Sequence, residues 1–150
     1  MAGSLLQLSA ALLTSTSIGL AQPVPADGPP VFNKRLQLAD GRTFVSDGAL
    51  AIDAAIAKPG DISKFVAIPG SVLDRFIQAP FSKEYPASDL SQQGNRYVLP
   101  DGLPLSARYV DYLRQHTTLR RLALRVSGDR SPVIVMLDGR AIAIVMPMAK

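Results

Sequence analysis

The chain has 150 residues, about the size of one ordinary domain, and 47% of them are hydrophobic while 19% are charged. This balance supplies a folded core and excludes a disordered polyelectrolyte. The chain contains no cysteine and one histidine, which excludes disulfide scaffolds, zinc ribbons, cysteine nucleophiles and multi-histidine metal sites. We therefore expect a single small domain with neither a metal nor a cofactor.

The amino-terminal segment predicts export. Residues 4–21 carry no charged side chain and are rich in leucine, which is typical of a signal peptide. Gly19 and Ala21 are the small residues that signal peptidase requires at the −3 and −1 positions, so we predict a signal peptide over 1–21 and cleavage between Ala21 and Gln22. The mature chain would then be periplasmic or secreted. If cleavage fails, the same segment would serve as an N-terminal membrane anchor.

A linker and the first part of the domain follow. Residues 22–30 contain four prolines and are interpreted as a proline-rich linker. Residues 31–150 are predicted to form one α+β domain with antiparallel hairpins and about three short helices. Its first elements are a strand over 31–38, an Asp-Gly turn, and a second strand over 42–46.

The middle of the chain combines short elements with a long polar stretch. Asp47 is predicted to cap a helix over 49–58, which Pro59-Gly60 would end. A strand over 65–68 precedes a helix that Ser71 would cap and Pro80 would end. Residues 80–104, rich in proline and polar side chains, are predicted to be mostly loop.

The last third carries the clearest elements. Ser106 is predicted to cap a helix that runs to Gln115, and apolar residues at every second position predict a strand over 119–126. Two apolar runs flank Asp138-Gly139, which is the strongest hairpin pattern in the sequence. Both strands of this 133–146 hairpin are apolar on both faces. They must therefore be covered on both sides within the chain, or else Val133–Met146 forms a homo-oligomer interface.

The positive charge is concentrated in one region. The formal net charge is +4, and residues 95–125 hold six arginines against two aspartates, so this segment carries the whole excess. Guanidinium groups suit a carboxylate- or phosphate-bearing partner, and we expect an acidic protein or envelope component. Export and the small number of nearby aromatic side chains argue against a nucleic-acid partner. The candidate ligand-binding residues are Arg114, Arg120, Arg121, Arg125, Tyr112 and His116.

Catalysis has little support in the sequence. A serine triad would have to use His116 with Asp111, but residues five apart on a helix point roughly 140° apart. The sequence lacks a Gly-x-Ser-x-Gly elbow and the acidic spacings of metal loops. We name no catalytic residue and expect a binding or accessory protein. The alternative is a small enzyme with an arginine-lined anion pocket that uses Tyr112 or His116, which requires Arg114, Arg121 and His116 to converge in a concave site.

Overall fold

A computed structural model describes residues 28–128 and 131–148. The predicted signal peptide, its cleavage point between Ala21 and Gln22 and most of the proline-rich linker lie outside these residues. The described chain has the predicted α+β fold in one small domain. No helix in the described ranges has the length and apolar character needed to cross a membrane.

Short strands account for most of the regular structure. They are, in chain order, β1 (Lys34–Gln37), β2 (Thr43–Ser46), β3 (Leu50–Asp53), β4 (Val66–Pro69), β5 (Lys83–Pro86), β6 (Ser91–Gln93), β7 (Arg96–Val98), β8 (Pro104–Ser106), β9 (Leu122–Val126), β10 (Val133–Leu137) and β11 (Arg140–Val145). Eight of them form one sheet in the order β4-β1-β2-β3-β11-β10-β9-β5, and β6-β7-β8 form a second, smaller sheet. Neighbouring strands are antiparallel except β4, which runs parallel to β1.

Helices cover both faces of the large sheet. The described residues form α1 (Ala54–Ala57), α2 (Ser71–Gln78) and α3 (Ala107–His116), together with 3-10 turns at Ala87–Asp89 and Leu119–Arg121. The α2 helix packs on one side of the sheet, called here the α2 face. The α3 helix and the small sheet pack on the other side, the α3 face. The sheet is therefore the middle layer of three.

The hairpin of β10 and β11 lies at the centre of the large sheet. Ile134 pairs with Ile144 and both point to the α2 face, while Val135 pairs with Ala143 and both point to the α3 face. Every residue of 133–136 and 141–145 is buried. Both sides of this apolar hairpin are therefore covered within the chain, which is the first of the two alternatives that its sequence left open.

The Asp-Gly pairs within the described residues lie at hairpin turns. The tightest of them joins β10 to β11, where Asp138 has φ 52° and Gly139 has φ 81°, as a two-residue turn between twisted strands requires. The pair at Asp47 also makes a turn, because its carboxylate accepts the backbone N–H groups of Ala49 and Leu50. The predicted helix over 49–58 is therefore wrong in its first half. β3 occupies 50–53, and Asp53 caps the short α1 by accepting the N–H of Ala55.

Three further predictions need correction. Ser71 is the first residue of α2 rather than its cap, because Gly70 precedes the helix and no side chain caps it. Residues 80–104 are not mostly loop, since β5 pairs with β9 at the edge of the large sheet and β6 to β8 build the small one. The strand predicted over 119–126 begins only at Leu122, after a 3-10 turn. The helix predicted from Ser106 to Gln115 is found over 107–116, and Ser106 stands at its N-cap position without making a side-chain capping bond.

Candidate functional site

Tyr112 and His116 lie one turn apart on α3. Tyr112 is 9% exposed, and its ring packs edge-on against Phe32, 5.7 Å away, and beside the His116 ring at 4.3 Å. Burial raises the pKa of Tyr112 above its ordinary value, so its hydroxyl stays protonated. Tyr112 is thus a core side chain and offers no free aromatic face for a base to stack on. His116 is exposed at the carboxyl end of the helix.

Arg114 is held by neighbouring side chains. Its guanidinium donates to the Tyr97 hydroxyl at 2.8 Å and lies 3.9 Å from the Asp111 carboxylate. The Tyr97 hydroxyl in turn donates to Asp111 at 2.9 Å. Burial first, and then the hydrogen bond to Asp111, raise the pKa of Tyr97 and keep this donor protonated. These three side chains join β7 of the small sheet to α3, which is a structural role.

Arg108 is also used within the fold. Its guanidinium donates to the backbone carbonyls of Gly28 and Pro29 at 2.9 and 3.0 Å. The chain therefore enters the domain beside the first turn of α3. Two of the six arginines that make residues 95–125 basic are thus occupied by internal contacts.

Arg125 lies on the opposite side of the sheet from α3. Its register partner on β10 is Ile134, which packs under α2, so Arg125 shares the α2 face. It donates to Glu84 at 2.8 Å, and its guanidinium lies 4.3 Å from the centre of the Phe81 ring. The large sheet consequently separates Arg125 from Tyr112, Arg114 and His116.

The remaining candidates, Arg120 and Arg121, lie at the end of the sheet where Arg140 begins β11. Leu122 of β9 pairs with Leu137 of β10, and Leu137 pairs with Arg140 of β11, so these residues lie side by side. Neighbouring strands are about 4.8 Å apart, which places the Cα atoms of Leu122 and Arg140 about 10 Å apart. Arg120 and Arg121 directly precede Leu122. We call Arg120, Arg121 and Arg140, all of which are exposed, the basic end.

One carboxylate among the described residues pairs with the basic end. Asp138, in the turn before Arg140, forms an ion pair with Arg121, and both side chains are more than half exposed. Asp40 lies near Arg140 but is engaged by Arg42, whose backbone N–H and guanidinium lower the pKa of Asp40. Arg42 is mostly buried and also donates to the Ala141 carbonyl at 2.6 Å. The basic end therefore presents three guanidinium groups against one paired carboxylate.

The six sequence candidates thus fall into separate places. Arg120 and Arg121 belong to one exposed patch, Arg114 and Tyr112 serve the packing of α3, His116 is exposed at the end of α3, and Arg125 lies on the other face. Arg140 was missed, because its proximity to Arg120 and Arg121 depends on strand pairing across β10. The run Asp138-Gly139-Arg140 was the available indication, since the residue that follows a hairpin turn stands at a sheet end.

Comparisons with known proteins do not assign this chain to a family. No protein-family model, no curated protein and no solved structure matches it. Within 28–128 and 131–148, no three His, Cys, Asp or Glu side chains are grouped closely enough to hold a metal ion. The function must therefore be argued from the basic end itself.

Proposed function

We propose that this chain is an exported binding protein whose basic end engages a carboxylate-rich surface of an acidic protein or envelope component. The observation that carries the proposal is the exposed group of Arg120, Arg121 and Arg140, in which the described residues form one ion pair, between Arg121 and Asp138. Arginine fits carboxylates particularly well, because its planar fork can donate two parallel hydrogen bonds.

Three of the other arginines of the segment are already engaged within the domain, which supports this choice of surface. Arg108 and Arg114 make short hydrogen bonds inside the domain, and Arg125 is paired with Glu84. Using any of these groups for a partner would break a contact that the fold already makes. The basic end can bind a partner at the cost of one exposed ion pair, and such pairs contribute about 0–1 kcal/mol.

A nucleic-acid partner has weaker support. Proteins that bind single strands combine a basic groove with aromatic side chains on which bases stack. Tyr112, the tyrosine nearest in sequence to Arg120, is buried against Phe32 and His116. The chemistry of the basic end favours side-chain carboxylates, which need no stacking surface.

A charge-reversal pair tests the proposal. Arg120→Glu with Arg121→Glu should weaken binding to immobilised poly-L-glutamate about tenfold at low salt, or about 1.4 kcal/mol. The reason is that two attractive contacts become repulsive. Dissociation constants would be measured by interferometry at two salt concentrations, because the loss should shrink as salt screens the charges.

The matched control is Lys64→Glu with Arg75→Glu. Both residues are exposed near the β4 edge of the sheet, far from β9. Either pair changes the formal net charge from +4 to 0, so total charge cannot distinguish the two variants. Equal weakening in both would show that binding follows net charge alone and would contradict a role for the basic end.

Export is tested by expressing the full-length gene in a bacterial host. The expected product is a periplasmic chain that begins at Gln22, identified by intact mass after fractionation. A full-length species in the membrane fraction would instead indicate the anchored form. A full-length species in the cytoplasm would contradict export and would make intracellular acidic partners the ones to seek.

A further inference from the structure

The ion pair inside the basic end bears on how tightly a partner can bind. Asp138 is 59% exposed and Arg121 is 58% exposed, and they join the β10–β11 turn to the residue before β9. Neither side chain is needed to fill the core. Asp138, a carboxylate of the chain itself, therefore already occupies the Arg121 guanidinium group that an acidic partner would contact.

We propose that Asp138 is an intramolecular competitor of the acidic partner, which sets the affinity of the basic end by occupying Arg121. This inference rests on the proposed function and adds to it a residue that limits binding. A bound partner must displace Asp138 from Arg121 or share Arg121 with it. The carboxylate also offsets one of the three positive charges of the patch.

Two effects of Asp138 oppose each other, and their sizes decide which prevails. Holding Arg121 in place would help a partner by reducing the entropy lost on binding. An exposed pair restricts such side chains only weakly, however, because solvent screens the attraction. Repulsion and competition act on every carboxylate that approaches, so loss of the Asp138 charge should strengthen binding.

Asp138→Asn is a suitable test because asparagine keeps the shape and the turn. Asp138 has φ 52°, in the left-handed region where asparagine is one of the few well-tolerated residues. We expect Asp138→Asn to bind poly-L-glutamate about threefold more tightly than the wild-type chain. Its thermal unfolding should be unchanged, which would show that the gain does not come from an altered fold.

The matched control is Asp101→Asn, which makes the same chemical change in the Asp-Gly turn between β7 and β8. Asp101 lies outside the basic end and accepts a hydrogen bond from the backbone N–H of Leu103. The side-chain oxygen of an asparagine can accept the same hydrogen bond. No change in binding is expected. A gain as large as that of Asp138→Asn would mean that net charge alone is responsible and would overturn the inference.

An Arg121→Ala background tests whether the effect acts through this pair. If Asp138 competes for Arg121, adding Asp138→Asn to Arg121→Ala should give a clearly smaller gain than in the wild-type chain. An equal gain in both backgrounds would overturn this inference. So would the absence of a gain in the wild-type chain, if the Arg120/Arg121 charge reversal still weakens binding; in either case the proposed function would stand. If the charge reversal also has no effect, the proposed function itself fails.

Discussion

Replacing Ile144 by lysine is expected to unfold the protein. Ile144 has no exposed surface, pairs with Ala51 and Ile134 in neighbouring strands, and packs under α2. A lysine there would bury an ammonium group without a partner and would also lose the buried isoleucine. The expected cost exceeds about 4 kcal/mol, which is comparable with the whole stability of many small domains. Circular dichroism and thermal unfolding of the purified variant would measure it.

The control for this variant is Val66→Lys. Val66 is 59% exposed on the edge strand β4, where lysine is common in natural sheets. Its cost should stay within about 0.5 kcal/mol. A folded Ile144→Lys variant that had changed only its association state would show that the β10–β11 hairpin is a surface, contrary to its central position in the sheet.

The second large effect is expected for Gly70→Ala. A Cβ atom at position 70 would lie 2.0 Å from the carbonyl oxygen of Gln37, far inside the contact distance. That oxygen belongs to the backbone at the end of β1, so relief requires moving either the strand or the start of α2. We expect a loss of about 3 kcal/mol in the free energy of unfolding, measured by urea denaturation.

Gly128→Ala supplies the comparison. A Cβ there would have as its nearest neighbour the Ser131 hydroxyl at 3.8 Å, an ordinary contact. Alanine should therefore be neutral or slightly stabilising at this position. Equal stability of Gly70→Ala and Gly128→Ala would contradict the close approach of Gly70, at the start of α2, to the Gln37 carbonyl of β1.

The β10–β11 hairpin and α3 could be predicted because each has a strong local pattern. An Asp-Gly turn between two apolar runs defines the hairpin, and helical spacing of buried residues after Ser106 defines the helix. β3 could not be recognised in this way. Its four residues are all buried, and the three apolar residues that precede Asp53 fit a strand as well as a helix.

The strands between Pro80 and Pro104 depend on partners distant in sequence. β6 consists of Ser91–Gln93, whose exposed polar side chains give no alternation to detect, and its pairing with β7 is what makes it a strand. β5 likewise exists because β9 offers an open edge. Local sequence therefore predicted a loop where pairing produces a sheet.

The candidate site was predictable only in its composition. The sequence located the excess of arginine, but a strand over 119–126 would put Arg121 and Arg125, four residues apart, on the same face. The strand begins at Leu122, so Arg121 lies in the preceding turn while Arg125 points to the α2 face. Arg140 joins Arg121 through two strand pairings, and no pattern within either segment indicates that.

Mapping a bound acidic peptide onto the chain by NMR tests the central claim most directly. A hexaglutamate peptide would be titrated into the ¹⁵N-labelled protein while backbone amide and arginine Nε signals are followed. The account predicts that the largest shifts occur at Arg120, Arg121 and residues 138–140. Largest shifts at Phe81, Glu84 and Arg125, or along α2, would contradict it, because the binding surface would then lie on the other face of the sheet.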